Sequence, residues 1–432
     1  MANSLDDLPT KSFCILAWTG ASVNSIGNIA PCCLWHNGTG PAYEYAKDVG
    51  GLPRIQDGIE NARNGKLFQK IRQDMLAGKK PSGCAKCWTD EEESNGDRVN
   101  NKFNSTHQRL LHHQRYIDSS PYGKITTFDD KPTKIRLLET GISNLCNFAC
   151  VMCNPGASSQ IRNVLFPGKK VPDPLIVDNV KHYGIKKGFH EDNANIDDDL
   201  SELQLLKFVG GEPMLEKKHG PLLEKVIDQC IDPGNLEIEY HTNASIFPDD
   251  KIIKLWEKVK LVRIIFSLDG VGDKATLQRP GRYVWQDIED TVDKYVALKT
   301  VPIKFSANIT MTALNIGQVT DICDWLWNKL KDSQMSWFNL NPIHNSNQFK
   351  YIDFRNLSEQ TKQRIKAEWQ TWEETNPPLL NTEIGNIYRN AKESIDEKGM
   401  LDEPLTKEIM LQKYPYAKIW RDFGEDLSKL DI

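Results

Sequence analysis

No run of about 18 apolar residues occurs in the 432-residue chain, which excludes an ordinary membrane-spanning helix. The start, Met1-Ala-Asn-Ser-Leu-Asp-Asp-Leu-Pro9, has neither a basic leader nor an apolar core, so the expected setting is cytoplasmic with no membrane partner. An excess of one charge is also lacking. The chain has 54 basic and 59 acidic side chains, a net charge of −5, too small to draw it to nucleic acid or an anionic surface. A disulfide framework is absent as well: the ten cysteines fall as one tight triplet, one C-x2-C pair, one adjacent pair and three singles. Such grouping belongs to metal or cluster ligation in a reducing compartment. Two of the singles, Cys230 and Cys323, lie in helical patterns and read as core packing.

The triplet is Cys146, Cys150 and Cys153, spaced C-x3-C-x2-C. Three thiolates on one short loop can hold three irons of a cubane iron-sulfur cluster. With no fourth cysteine nearby, the last iron stays open to a small molecule, which suggests catalysis rather than electron storage. The competing reading is a structural zinc knuckle, but zinc sites usually close with a fourth Cys or His and the residues after Cys153 supply neither. About sixty residues on, the apolar run 203–209 leads into Gly210-Gly211-Glu212-Pro213.

Together the triplet and this turn resemble the radical SAM superfamily, whose open iron chelates S-adenosylmethionine and whose second strand ends in a GGEP motif. Met152 stands where many relatives carry an aromatic residue against the adenine. The resemblance implies that the Gly210-Gly211 backbone and Glu212 of that motif receive the methionine amino group. It further implies that Ser267 and Arg279 meet the carboxylate, that Asn308 contacts the ribose, and that Asn243 and Asp269 touch cofactor or substrate. Taken singly, these polar strand-end residues also read as turn formers.

Six β-forming runs, 134–142, 205–209, 236–242, 261–268, 303–311 and 337–343, end in Gly, Asn, Asp or Pro and alternate with helical periodicities. This is the pattern of a parallel α/β sheet. Six units are too few for a closed eight-fold barrel, so a partial (β/α)6 TIM-like barrel is expected, with ligands at the C-terminal strand ends. A chain of this length should hold two or three domains. The expected division is an auxiliary module over 1–100, a linker over 101–132, the barrel over 133–350 with an insertion near 166–199, and a helical extension over 351–432.

The auxiliary module rests on a second cysteine set. Cys14, one of Cys32 and Cys33, and the C-x2-C pair Cys84 and Cys87 supply four thiolates, enough for a second 4Fe-4S cluster or an all-cysteine zinc site. The Pro31-Cys32-Cys33 element, the C-x2-C pair, the acidic run 90–93 and Arg98 resemble SPASM and twitch modules, here placed before the barrel. That resemblance selects Cys32 as the ligand and leaves Cys33 spare. Residues 102–116, with His107, His112 and His113, read as a basic amphipathic linker helix rather than a metal or nucleic-acid site. The segment beyond Phe354, with Trp369 and Trp372, shows no chemistry of its own.

The implied reaction is reductive cleavage of S-adenosylmethionine to a 5′-deoxyadenosyl radical that abstracts hydrogen from a substrate carbon. An external one-electron reductant of flavodoxin or ferredoxin type is implied as partner. Peptide or protein modification ranks first as the use of that radical, and small-molecule dehydrogenation or epimerisation second. The alternative from another class is a non-catalytic iron-sulfur scaffold or electron carrier.

Overall fold

All six predicted β runs form strands, joined in one sheet by two more from the N-terminal region. The structure is a computed structural model that describes residues 4–35, 40–93, 105–169, 175–177, 180–182, 196–343, 349–426, 428 and 430. Its strands are β1 (Gly20–Val23), β2 (Ile29–Ala30), β3 (Leu137–Thr140), β4 (Leu205–Phe208), β5 (Glu237–Thr242), β6 (Leu261–Phe266), β7 (Ile303–Met311) and β8 (Met335–Pro342). The sheet order is β8-β7-β6-β5-β4-β3-β1-β2. From β3 to β8 spatial order follows chain order, as successive βα units produce. Pairing is parallel for β3 with β4, β7 with β8, and β1 with β3, and antiparallel for β1 with β2.

The helices follow from periodicity and caps. Before β3 lie α1 (Leu16–Thr19), α2 (Lys66–Leu76), α3 (Ala85–Glu93) and α4 (Ser105–Ile117). Helix α2 buries Leu67, Phe68, Ile71, Arg72 and Met75, the spacing of one helical face. Between the strands come α5 (Ser159–Leu165), α6 (His219–Gln229), α7 (Asp250–Trp256), α8 (Trp285–Ala297) and α9 (Val319–Leu330). The C-terminal extension contributes α10 (Glu359–Thr375), α11 (Gly385–Ser394), α12 (Lys407–Lys413) and α13 (Lys418–Phe423). Ser158, Ser358 and Thr406 cap α5, α10 and α12 by accepting a backbone N–H at the third helical position.

The chain divides into two compact units. The first comprises Met1–Asn144, Lys187–Glu239 and Asp250–Val262. Its core brings Phe13, Trp18, Trp35, Ile71 and Tyr116 against Leu137 of β3 and Leu205 of β4. Each such side chain removed from water stabilises by about 1.5–3 kcal/mol. Arg72, also buried here, bonds the carbonyls of Asp130, Ala17 and Arg63 at 2.8, 3.1 and 2.8 Å, tying α2 to its neighbouring loops.

The second unit comprises Leu145–Lys186, Tyr240–Asp249 and Arg263–Ile432. Its core includes Phe266 stacked on Phe305 at 5.7 Å, and Trp369 edge-on to Tyr388 at 6.0 Å. Cys230 in the first unit and Cys323 in the second are buried, their thiols donating to the carbonyls of Leu200 and Ile384 at 3.8 and 3.9 Å. Most of the insertion expected near 166–199 lies outside the described residues, as do Arg98 and the start of the linker helix. Within the insertion Leu175–Val177 and Val180–His182 pair antiparallel.

Candidate functional site

The cysteine loop belongs to the second unit and is held along its length. Its backbone runs beside residues 278–281: Ala149 N–H donates to Pro280 O at 2.8 Å, Val151 N–H donates to Gln278 O at 3.0 Å, and Phe148 bridges Gly281. Phe148 stacks on Tyr283 with centroids 4.5 Å apart. Gly281 is required by this stack, since a Cβ there would lie 2.7 Å from Phe148 Cδ1. Cys146 N–H donates to Ser159 Oγ at 3.1 Å, and Ser158 Oγ donates to Phe148 O at 2.7 Å, so the start of α5 fixes the front of the loop. The C-terminal extension secures the back. Tyr414 donates its hydroxyl to Val151 O, and Trp420 donates its indole N–H to Leu277 O at 2.7 Å. Sequence reasoning found no role for these two residues; an aromatic distant in the chain gives no local signal of the carbonyl it will meet.

The clamped loop leaves Cys146 and Cys150 buried and Cys153 half-buried. Arg279 Nη1 donates to Cys150 Sγ at 3.4 Å. Its Nε also forms an ion pair with Asp269 Oδ2, close in distance but without hydrogen-bond alignment. Asp269 Oδ1 accepts Thr310 N–H at 2.6 Å, which fixes the carboxylate on the β7 backbone. Burial pushes the Cys150 thiol pKa up, with Arg279 opposing, and burial together with Cys150 pushes Cys153 up to about 12. Burial also works against the Arg279 charge, but Asp269 and Cys150 outweigh it and raise its pKa. These thiols are therefore protonated until a metal displaces their protons, the usual linkage of thiolate ligation.

The triplet supplies the donor type that an iron-sulfur cluster takes. It offers soft ligands on one preformed loop, with a guanidinium already bonded to one sulfur. Among the described residues no three His, Cys, Asp or Glu side chains converge as ligands of a single metal ion.

The other predicted residues of this unit surround strand ends. Asn243 is buried just after β5, donates to Asn147 Oδ1 at 2.9 Å, and accepts from Ser245 Oγ at 2.5 Å; the Asn147 amide donates to Ser245 Oγ at 2.8 Å. The next residue, Ala244, has φ +59°, the sole non-glycine positive φ among the described residues. Such strain is often found at functional sites. Ser267 is half-buried and donates its N–H to Thr242 O at 2.8 Å. Asn308 accepts from Asn341 Nδ2 at 2.6 Å, and Met152 is half-buried.

The Gly210 turn belongs to the first unit. Parallel pairing of β3 and β4 extends through Val209 N–H donating to Thr140 O at 3.0 Å, and Gly141 N–H donates to Val23 O at 2.7 Å. Gly210 and Gly211 have φ of +73° and +60°. A Cβ on Gly210 would lie 2.0 Å from Ser25 Oγ, and one on Gly141 would lie 2.8 Å from Ser25 N. Ser25, which carries no motif, thus sets the space at the ends of β1, β3 and β4. Glu212 is buried, accepts Met214 N–H at 3.1 Å, and starts the turn Pro213–Leu215.

On the sheet face shared by Leu137 and Leu205 runs a polar row. Ser22 donates to Glu139 Oε1 at 2.8 Å, Glu139 lies in register with Lys207, and Lys207 pairs with Glu239 Oε1 at 2.9 Å. Cys33 is exposed as a residue but its sulfur lies beside Glu139, and its thiol pKa is raised by loss of water around the sulfur and then by the Glu139 charge.

Cys14, Cys32, Cys84 and Cys87 are all half-buried residues of this first unit. Burial raises each thiol pKa, for Cys87 up to about 12, and each of Cys32, Cys84 and Cys87 is further raised by others of the four. The thiol pKa of Cys32 is raised, after burial, by Cys87 and Cys14, and that of Cys33, after burial, by Glu139 and Cys32, with Lys207 opposing. Helix α4 braces the set: Ser105 Oγ donates to Cys87 O at 2.7 Å, and Arg109 Nη1 donates to Phe13 O at 2.6 Å, beside Cys14. His112 and His113, on the same helix, make ring contacts with Tyr116 at 5.9 Å and Phe13 at 5.7 Å.

Residues 141–326 match the family model Radical SAM superfamily. No curated protein matches the sequence. Among solved structures, Streptococcus suis SuiB bound to S-adenosylmethionine is 13% identical, with TM-score 0.30, covering 55% of this chain and 44% of SuiB. SuiB bound to its precursor peptide SuiA is also 13% identical, with TM-score 0.30, covering 55% of this chain and 46% of that one. The polyhistidine-tagged anSMEcpe with bound AdoMet is 17% identical, with TM-score 0.35, covering 55% of this chain and 58% of that one. The chain thus spans about half the length of these structures. Among the described residues no helix is long and apolar enough to cross a membrane.

Proposed function

We propose that this chain, whose residues 141–326 match the radical SAM family model, is a radical SAM enzyme, with the following assignment of its parts. Cys146, Cys150 and Cys153 hold the 4Fe-4S cluster. Bound there, that cluster supplies an electron to S-adenosylmethionine, whose cleavage yields a 5′-deoxyadenosyl radical that takes hydrogen from a substrate carbon. The observation that carries this reading is the cysteine loop itself, clamped by residues 278–281 and by Tyr414, with Arg279 bonded to Cys150.

The remaining residues bind and orient. Gly210, Gly211, Glu212 and Pro213 form the turn that receives the methionine amino group, and their left-handed glycines support that role because they bring backbone close to a ligand. Ser267 and Arg279 meet the carboxylate, Asn308 the ribose, Met152 the adenine, and Asn243 and Asp269 the cofactor or substrate. Asp269 fixes the plane of Arg279, so a carboxylate meets a guanidinium that is already oriented. The electron comes from an external one-electron donor of flavodoxin or ferredoxin type.

In the N-terminal region, Cys14, Cys32, Cys84 and Cys87 hold an auxiliary 4Fe-4S cluster of twitch type. Their mutual electrostatic coupling and the place of the Cys33 sulfur beside Glu139 support this choice of four. For the substrate we place a peptide or protein segment first and a small metabolite second.

The test is anaerobic incubation of the reduced protein with S-adenosylmethionine. Slow release of 5′-deoxyadenosine, lost in Cys150→Ala, is expected, and no release from wild type with its cluster intact would overturn the reading. About eight irons per chain support two clusters, whereas about four irons and one zinc overturn the auxiliary assignment.

A further inference from the structure

Arg109 is buried, with 3% of the residue exposed, and its hydrogen-bond donors are unequally used. Nε donates to Glu91 Oε1 at 2.9 Å, and Nη1 donates to Lys11 O at 3.0 Å and Phe13 O at 2.6 Å. Nη2 has no hydrogen-bond partner. The indole of Trp88 lies 5.2 Å from the guanidinium carbon, a ring contact that does not use the in-plane N–H groups. A buried guanidinium N–H left without an acceptor costs about 1–3 kcal/mol or more, because it has given up water. Such an orphan points to an acceptor other than the surrounding protein oxygens and nitrogens.

What surrounds Arg109 identifies the acceptor. Phe13, whose carbonyl it bonds, precedes Cys14, and Glu91 lies one helical turn after Cys87 on α3. The Arg109 charge acts on the Cys14, Cys84 and Cys87 thiols. The neighbouring group able to accept is therefore the sulfur of these residues, once they bind a metal centre as thiolates. Four thiolates leave such a centre anionic, and N–H donation to its sulfurs stabilises the more negative, reduced state and raises the potential.

We infer that Arg109 is a positioning residue of the N-terminal thiol centre, its Nη2 donating to sulfur that Cys14, Cys84 or Cys87 presents to the metal. Glu91 serves as its counter-charge, aligning the guanidinium and cancelling its net charge in the protein interior. The inference rests on the proposed reading that these four cysteines hold an iron-sulfur cluster.

The test uses the full-length chain with Cys146, Cys150 and Cys153 all changed to Ala, so that any remaining cluster belongs to the N-terminal set. Into this background go Arg109→Gln with Glu91→Gln, which removes both charges together, and separately Arg109→Lys, which keeps the charge but loses the fork. Iron, zinc and sulfide are measured, and the midpoint potential is followed by electron paramagnetic resonance. The expected result is about four irons in the parent and a potential lower by at least about 59 mV in the double variant, a tenfold fall in the reduced-to-oxidised ratio at fixed potential. A smaller fall in the same direction is expected for Arg109→Lys, with little change in thermal midpoint. If the double variant does not fold, the lysine variant decides. A cluster that stays at the parental potential overturns the role of Arg109. Zinc, or no metal, in the parent overturns the cluster reading and the inference with it.

Discussion

Gly210→Ala tests whether the left-handed turn after β4 is a structural requirement of the site. An L-residue at φ +73° costs about 1–2 kcal/mol in backbone strain. The new Cβ would also start 2.0 Å from Ser25 Oγ, a contact that cannot exist, and moving Ser25 or the turn costs about 1–3 kcal/mol more. The two penalties can be separated. Ser25→Ala removes Oγ, and the next atom in the way is Ser25 Cβ at 3.3 Å, which a small shift accommodates. Gly210→Ala should therefore lose about 2–5 kcal/mol, and adding Ser25→Ala should restore about 1–3 of it while the backbone strain remains. Thermal unfolding of the four proteins of this cycle measures both, at about 2–4 °C per kcal/mol for a unit of this size. S-adenosylmethionine binding by the reconstituted protein should weaken in parallel. A Gly210→Ala protein as stable as wild type would refute the strained turn, and equal losses with and without Ser25→Ala would refute Ser25 as the residue that Gly210 avoids.

Gly281→Ala places a Cβ 2.7 Å from Phe148 Cδ1, so the Phe148 and Tyr283 rings must part; we expect a loss of about 1–3 kcal/mol and fewer irons at the triplet, with the N-terminal metal unchanged. Unaltered iron at the triplet would show that the loop does not depend on the stack. Cys33→Ser should leave total iron at the wild-type value, whereas Cys32→Ser should remove the N-terminal centre; equal losses from both would overturn the choice of ligand. His112 has its pKa lowered to about 4 by burial and then by Lys207 and Arg115. Its folded pKa lies below the usual value of about 6.5, so on acidification the unfolded chain takes up a proton that the folded one refuses. Stability present above about pH 6.5 is thus lost as pH falls toward 4, by no more than about 3 kcal/mol. In His112→Asn the slope of thermal midpoint against pH should flatten in that window, and an unchanged slope would locate the acid sensitivity elsewhere.

What can be read from this sequence depends on whether the signal is local. The six predicted strands are legible because each is a short apolar-rich run closed by a turn former, and the expected run 205–209 becomes β4 at Leu205–Phe208. The proposed cluster ligands rest on a local signal too, since cysteine spacing on a short loop leaves few geometries open. β1 is not legible: Gly20-Ala-Ser-Val23 is four residues with no alternation, and its strand state comes from pairing with Leu137–Thr140 more than a hundred residues away. The supports of the loop are hidden for the same reason. Tyr414 and Trp420 act by meeting one carbonyl each of a distant segment, and nothing in their own neighbourhoods announces it. Arg109 shows the sharper form of this limit. In sequence it is one cation among 54 basic residues on an amphipathic helix, and only the tally of its donors, three bonds from Nε and Nη1 and none from Nη2, separates it from a surface charge. Ligands reveal themselves by type and spacing, but a residue that tunes them is found only by asking which buried hydrogen-bonding group lacks a partner.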